Sequence, residues 1–120
     1  MFKAFFMAVL LAVYSPTYVL AGHKYKERVY QEEWCGKSGG VTEYHLDDGT
    51  RVDCLTDQYA IEFDFAPKWA ESVGQALYYA LMTGKRPGVV LIMESEGDGR
   101  YLVRLNALAE RYNIKIWTTQ

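Results

Sequence analysis

Two carboxylates on consecutive strands, Asp53 in RVDCL and Glu62 in YAIEFDF, are the residues of this chain best placed to do chemistry. From Tyr59 to Phe65 large apolar residues alternate with small or acidic ones. That period is the mark of a half-buried strand with Ile61, Phe63 and Phe65 toward a core and Ala60, Glu62 and Asp64 on the other face. Like charges aligned on one face repel, so solvent, a cation or a function must offset them. Antiparallel pairing of the two strands brings Asp53 and Glu62 close together. Two converging carboxylates, completed by waters and a backbone carbonyl, commonly hold a hard divalent cation. Such a cation makes its bound water a better nucleophile and neutralises charge on a transferring phosphoryl group. On spacing alone the simpler reading is that these are solvent-facing acids of an amphipathic sheet.

The helix expected from Pro67 to Thr83 adds polar groups beside them. At about 100° per residue, Lys68, Ser72, Gln75 and Tyr79 share one face, next to a packing stripe of Trp69, Val73, Ala76 and Ala80. An earlier helix, Tyr25 to about Lys37, carries Val29, Tyr30 and Trp34 at helical spacing, and Ser38-Gly39-Gly40 stops it. Glu33 falls between Val29 and Tyr30 on the wheel as the one acid of that stripe, whereas Glu27 and Glu32 are expected to point outward.

The elements that must position these groups follow in order. Strands are expected over Val41–Leu46, Thr50–Thr56 and Tyr59–Phe65, the first two joined by the hairpin chemistry of Asp47-Asp48-Gly49. Val89 to Met93, bounded by Pro87-Gly88 and Gly97, reads as an interior strand buried on both faces. A third helix over Asp98–Tyr112 buries Leu102, Leu105 and Ala109, and Ile114–Trp117 forms a last strand. The order α-β-β-β-α-β-α-β predicts one layered α/β or α+β domain with a mixed sheet flanked by helices.

An acid in the first helix, an aspartate on a hairpin strand, a glutamate on the next strand and then a helix with Gln-x-x-x-Tyr resembles the PD-(D/E)XK nuclease superfamily, particularly its RecB-like branch. The matching residues are Glu33, Asp53, Glu62 and Gln75-Ala76-Leu77-Tyr78-Tyr79. The resemblance spans roughly Tyr25 to Met93 and includes the αβββαβ restriction-endonuclease-like order, here with an added αβ at the C-terminus. It implies a nuclease dependent on Mg²⁺ or Mn²⁺, with DNA or RNA as partner. Asp53 and Glu62 would hold the metal together with the Phe63 carbonyl, Glu33 would orient a metal water, and Gln75 and Tyr79 would steady the site or touch substrate. Asp64 stands where the family usually carries a lysine, and an aspartate cannot supply positive charge to a developing anion. Lys68, one turn further on and on the face of Gln75, is the cation expected to replace it. The alternative is a catalytically inactive nuclease-fold binding or interaction protein of the cell envelope or exterior.

Composition bounds these readings. The chain has 120 residues, half of them apolar, which suits a single small domain. Residues 1–21 read as a signal peptide: Lys3 precedes the apolar run Ala4–Val13, Ser15-Pro16 breaks it, and cleavage is expected after Ala21. The apolar run is short of the roughly 20 residues that span a bilayer, so no stable membrane insertion is expected after cleavage. The expected mature chain, residues 22–120, is secreted or periplasmic and carries 12 basic against 15 acidic side chains, a balance of −3. That argues against living by non-specific phosphate contacts, though a local basic path remains open. Cys35 and Cys54 are free to form a disulfide outside the cytoplasm or to stay as two buried thiols. No Cys or His pair stands at zinc spacing. His23 is expected to trail as a mobile terminal residue.

Overall fold

A computed structural model describes residues 22–120, and the expected leader over residues 1–21 lies outside them. The described chain is an α+β domain of three helices and one mixed five-stranded sheet. Helix α1 spans Glu27–Lys37, strands β1, β2 and β3 span Val41–His45, Arg51–Leu55 and Tyr59–Phe65, and a 3₁₀ turn over Ala66–Lys68 leads into α2, Trp69–Thr83. Strand β4 spans Arg86–Ile92, helix α3 Gly99–Tyr112 and strand β5 Lys115–Thr119. The strands lie in sequence order, with β1–β2 and β2–β3 antiparallel and β3–β4 and β4–β5 parallel.

Alternation along the central strands sorts the core into two layers. Val89 and Leu91 of β4 pack with Ala76 of α2 and with Leu105 and Ala109 of α3. Ile61, Phe63 and Val90 pack on the opposite face against Cys35 of α1, with Trp34 and Trp117 at the margin. Both faces of β4 are therefore covered, as its continuous apolar run requires. Among the described residues no helix is long and apolar enough to cross a membrane.

Cys35 and Cys54 form a disulfide that joins α1 to β2, with Cα atoms 5.8 Å apart. Gly40 permits it: a Cβ there would lie 2.6 Å from the Cys54 sulfur and 2.7 Å from that of Cys35. The bond also fixes the rotation of α1. Tyr30, Gln31 and Cys35 are its buried residues, while Val29 is 45 % exposed. The expected Val29–Tyr30–Trp34 stripe is thus turned by roughly one residue, because a covalent anchor at Cys35 outweighs one aliphatic side chain.

Strand β4 starts at Arg86 and so includes Pro87 and Gly88, which were expected to bound it. Pairing with β5 begins only at Gly88–Lys115, so Pro87 faces a sheet edge on that side, where a missing N–H costs nothing. His23 does not trail: its ring stacks on Phe65 with centroids 3.4 Å apart, and its Nδ1 lies 2.6 Å from Glu94 Oε1. Glu94 also accepts hydrogen bonds from the Lys24 N–H and the Tyr30 hydroxyl, which pins the start of the described chain beside the C-terminal ends of β3 and β4.

Candidate functional site

The antiparallel ladder between β2 and β3 runs through Leu55–Ala60 and Cys54–Ile61. The next position would pair Asp53 with Glu62, and there side chains take over from backbone. The Asp53 N–H donates to Glu62 Oε1 at 3.3 Å, and the Phe63 N–H donates to Asp53 Oδ2 at 2.8 Å. The Asp53 carbonyl accepts from Gln31 Nε2 at 2.7 Å. Strand β2 also breaks its alternation here, since Val52 packs with Ala60 and Tyr79 on the α2 side while Cys54 is bonded to α1 on the other. The sheet is therefore parted between β2 and β3, and a cleft of about 700 Å³ opens at the gap.

The floor of that cleft is acidic. Asp53, Glu62 and Asp64 all line it, and Glu62 and Asp64 are 3 % and 7 % exposed. Burial, then the charge of Asp53, push the Glu62 carboxyl up to about 10, and burial raises Asp53 as well. Asp64 is raised to about 7 by burial, then by Glu27 and Glu71. The α2 wall supplies Gln75 and the buried Tyr79, whose phenol is raised by burial and by Glu62. A strand residue directs its N–H and C=O to the same side, so the Phe63 carbonyl faces the gap that its N–H faces.

Glu33 is not brought to this site. It is exposed on α1 and paired with Lys37 at 2.9 Å, one turn along the same helix. Glu27, expected to point outward, lines the cleft instead and is raised to about 7 by burial and then by Asp53. The disulfide is the reason: with Cys35 held inward, the inner face of α1 runs through residues 27, 31 and 35, and a residue two positions from 31 points away. The two cysteines, paired with each other, were the signal in the sequence from which that face could be found.

Lys68 is exposed beside the cleft, close enough for its charge to lower the carboxyls of Glu27 and Asp64. Among the described residues it forms no ion pair. Lys26, Arg28 and Arg51 line the same opening, so the acidic floor has a basic rim. Arg28 is held by Glu32 at 2.8 Å and Arg51 by Glu43 at 3.4 Å.

Glu43 is the site residue that strand periodicity had no means to reveal. It stands opposite Asp53 in the β1–β2 hairpin, between the pairs Thr42–Cys54 and Tyr44–Val52, with a backbone φ of +52°. A side chain in that left-handed region costs about 1–2 kcal/mol, so the surrounding bonds must hold it. Gln31 Nε2 donates to Glu43 Oε1 at 3.2 Å, and Arg51 lies beside its other oxygen. Glu43→Gly is expected to melt within a few degrees of the wild type, since glycine accepts this backbone freely. Glu43→Val should lose about 1–2 kcal/mol. Paired thermal melts check this, and a valine variant as stable as the glycine one would remove strain at Glu43 from the account.

Among the described residues no group of three or more His, Cys, Asp or Glu side chains is arranged to hold a metal ion. The donor set nevertheless fits magnesium or manganese, which take hard oxygen ligands and need only one or two carboxylates beside water. Comparison with protein-family models, with curated proteins and with solved structures found no match.

Proposed function

We propose that this chain is a divalent-metal-dependent nuclease that hydrolyses phosphodiester bonds in DNA or RNA, built on a PD-(D/E)XK-like core of the RecB-like type. The observation that carries the reading is the pair of half-buried Asp53 and buried Glu62 at the one place where β2 and β3 part, opposite Gln75 and Tyr79 of α2. Burying carboxylates beside one another is costly, and a cation between them offsets that cost. Export behind a cleaved leader belongs to the same proposal, and the Cys35–Cys54 disulfide fits an oxidising compartment.

Asp53, Glu62 and the Phe63 carbonyl are the groups that would hold Mg²⁺ or Mn²⁺, which when bound supplies an activated water and neutralises phosphoryl charge. Glu27 takes the place in α1 that was expected of Glu33. With its carboxyl near 7, it exchanges a proton close to neutral pH and so suits holding or accepting the proton of an attacking water. Asp64, raised to about 7 by burial and its acidic neighbours, takes up a proton more readily than an ordinary aspartate and so adds less repulsion toward an incoming phosphate. Lys68 supplies the cation missing from strand β3, and Gln75 offers an amide to substrate oxygens.

Lys26, Arg28, Arg51 and Lys68 form the path for phosphates across the rim. If all four engage, binding of single- or double-stranded nucleic acid without divalent cation should fall with salt at a log–log slope of about −3 to −4. Lys68→Ala should reduce that slope by about 1 across all sequences. Fluorescence anisotropy from low to moderate salt measures it, and a slope indifferent to Lys68 would take that residue off the path.

The test of the reading is direct. Residues 22–120, purified with the disulfide intact, are incubated with labelled single- and double-stranded DNA and RNA in Mg²⁺ or Mn²⁺, alongside Asp53→Asn. Metal-dependent cleavage that the variant loses supports the enzyme. Binding without cleavage of any form supports the second reading, a catalytically inactive nuclease-fold binding protein, which Asp64 in the lysine position favours.

A further inference from the structure

Gln31 is buried on α1 at 2 % exposure and lines the cleft one turn along from Glu27. Its single amide nitrogen serves two strands at once, donating to the Asp53 carbonyl at 2.7 Å and to Glu43 Oε1 at 3.2 Å. Both acceptors lie where the sheet is irregular: Asp53 is where the β2–β3 ladder stops, and Glu43 opposite it has the left-handed backbone. No other residue type of this length does the same work. Glutamate lacks the donors, methionine has no N–H, and lysine would place a positive charge against the carboxylates a cation is to balance.

We propose that Gln31 is a positioning residue of the cleft, whose amide takes up the Asp53 carbonyl at the point where the β2–β3 ladder stops and so holds β2 away from β3. Resting on the metal-dependent reading above, this assigns the geometry of the Asp53–Glu62 pair to α1. With the amide in place, the Asp53 carbonyl is satisfied without a donor from β3. The two strands then stay parted, and the Asp53 carboxylate is steered across the gap to the Phe63 N–H. Without it, the carbonyl has to find a donor on β3, and the strands close over the space between the two carboxylates. The Cys35–Cys54 bond, one turn further along α1, keeps the helix at the distance this requires.

The experiment uses residues 22–120 with the disulfide intact and the variants Gln31→Met, which keeps the length of the side chain, and Gln31→Asn, which keeps the amide but shortens its reach. A remote core variant, Leu105→Ala, controls for loss of stability alone. Two readouts are taken. The first, without metal, is amide hydrogen exchange at Phe63 and Asp53 by NMR. Both Gln31 variants are expected to change exchange there by at least about tenfold, leaving Val90 in the centre of the sheet near its wild-type rate. The second is calorimetric titration with Mn²⁺, where the variants should bind about 10- to 100-fold more weakly than the wild type and Leu105→Ala should bind normally. Unchanged exchange at Phe63 and Asp53 in both variants overturns the positioning role, whatever the metal does. Altered exchange with no Mn²⁺ binding by the wild type overturns the metal reading, leaving Gln31 as a device of the fold alone.

Discussion

Replacing Glu62 by glutamine is expected to give a protein that melts higher than the wild type at pH 8 without divalent cation and, on the proposed nuclease function, loses cleavage of nucleic acid. The amide keeps an oxygen to accept from the Asp53 N–H, so the local bond survives. What it removes is a carboxylate that burial and Asp53 push up to about 10, and whose ionisation therefore opposes folding. Removing the cost of keeping that group protonated in the fold at pH 8 should be worth on the order of 1–3 kcal/mol. The loss of activity should be at least about 100-fold, because weakening even an outer partner of a metal ligand costs 10- to 100-fold.

The pH dependence follows from the sign of the shifts. Glu27, Asp64 and Glu62 have folded-state values above their ordinary values of 4.5, 3.8 and 4.5. Each then contributes stability that is complete below the ordinary value and is lost as pH rises through the folded value. The metal-free wild type should therefore melt progressively lower from about pH 4.5 upward, most of the fall from Glu27 and Asp64 being complete just above 7 and that from Glu62 continuing toward 10. Glu62→Gln should flatten the alkaline part, and Mn²⁺ should raise the wild-type Tm more at pH 8 than at pH 5. Melting curves across this range, with and without Mn²⁺, provide the measurement. A wild type that gains stability from pH 5 to pH 8 without metal would contradict the buried-carboxylate account of the cleft.

The second large effect is expected from the disulfide. Cys35→Ser/Cys54→Ser removes a cross-link between residues 19 apart in sequence, which the chain-entropy model values at about 3 kcal/mol. For a domain of this size that is a fall in Tm on the order of 15 °C. The bond joins the helix that carries Glu27 and Gln31 to the strand that carries Asp53, so the two walls of the cleft lose their tether along with the stability. Metal affinity should therefore fall further in the double serine variant than in a core variant of equal Tm, and reduction of the wild type should reproduce both losses. Equal affinities at matched Tm would reduce the disulfide to a general staple.

The two halves of the site were not equally legible from sequence. Period-2 alternation placed Glu62 and Asp64 on one face of β3, and a tight connection to β2 brought Asp53 opposite, because a strand has only two faces and a short turn leaves one register. Helical period placed Gln75 and Tyr79 together on α2 for the same reason, and Pro67 and Gly84 marked its ends. The face of α1 was not legible in that way. Its apolar residues are too few to outvote a single cross-link, and reading the stripe from Val29 turned Glu33 inward where Glu27 belongs.

By itself, then, the sequence determined which elements form, their order, and that acids and an amide-bearing helix meet at one end of the sheet, since each of these depends on neighbours within a few residues. The tertiary structure decided the rotation of α1, the parting of β2 from β3 at Asp53, and the entry of Glu27, Gln31 and Glu43 into the cleft. Those depend on contacts between residues 10 to 22 positions apart in the chain, made by a disulfide, a buried amide and a left-handed backbone that follow no repeating period.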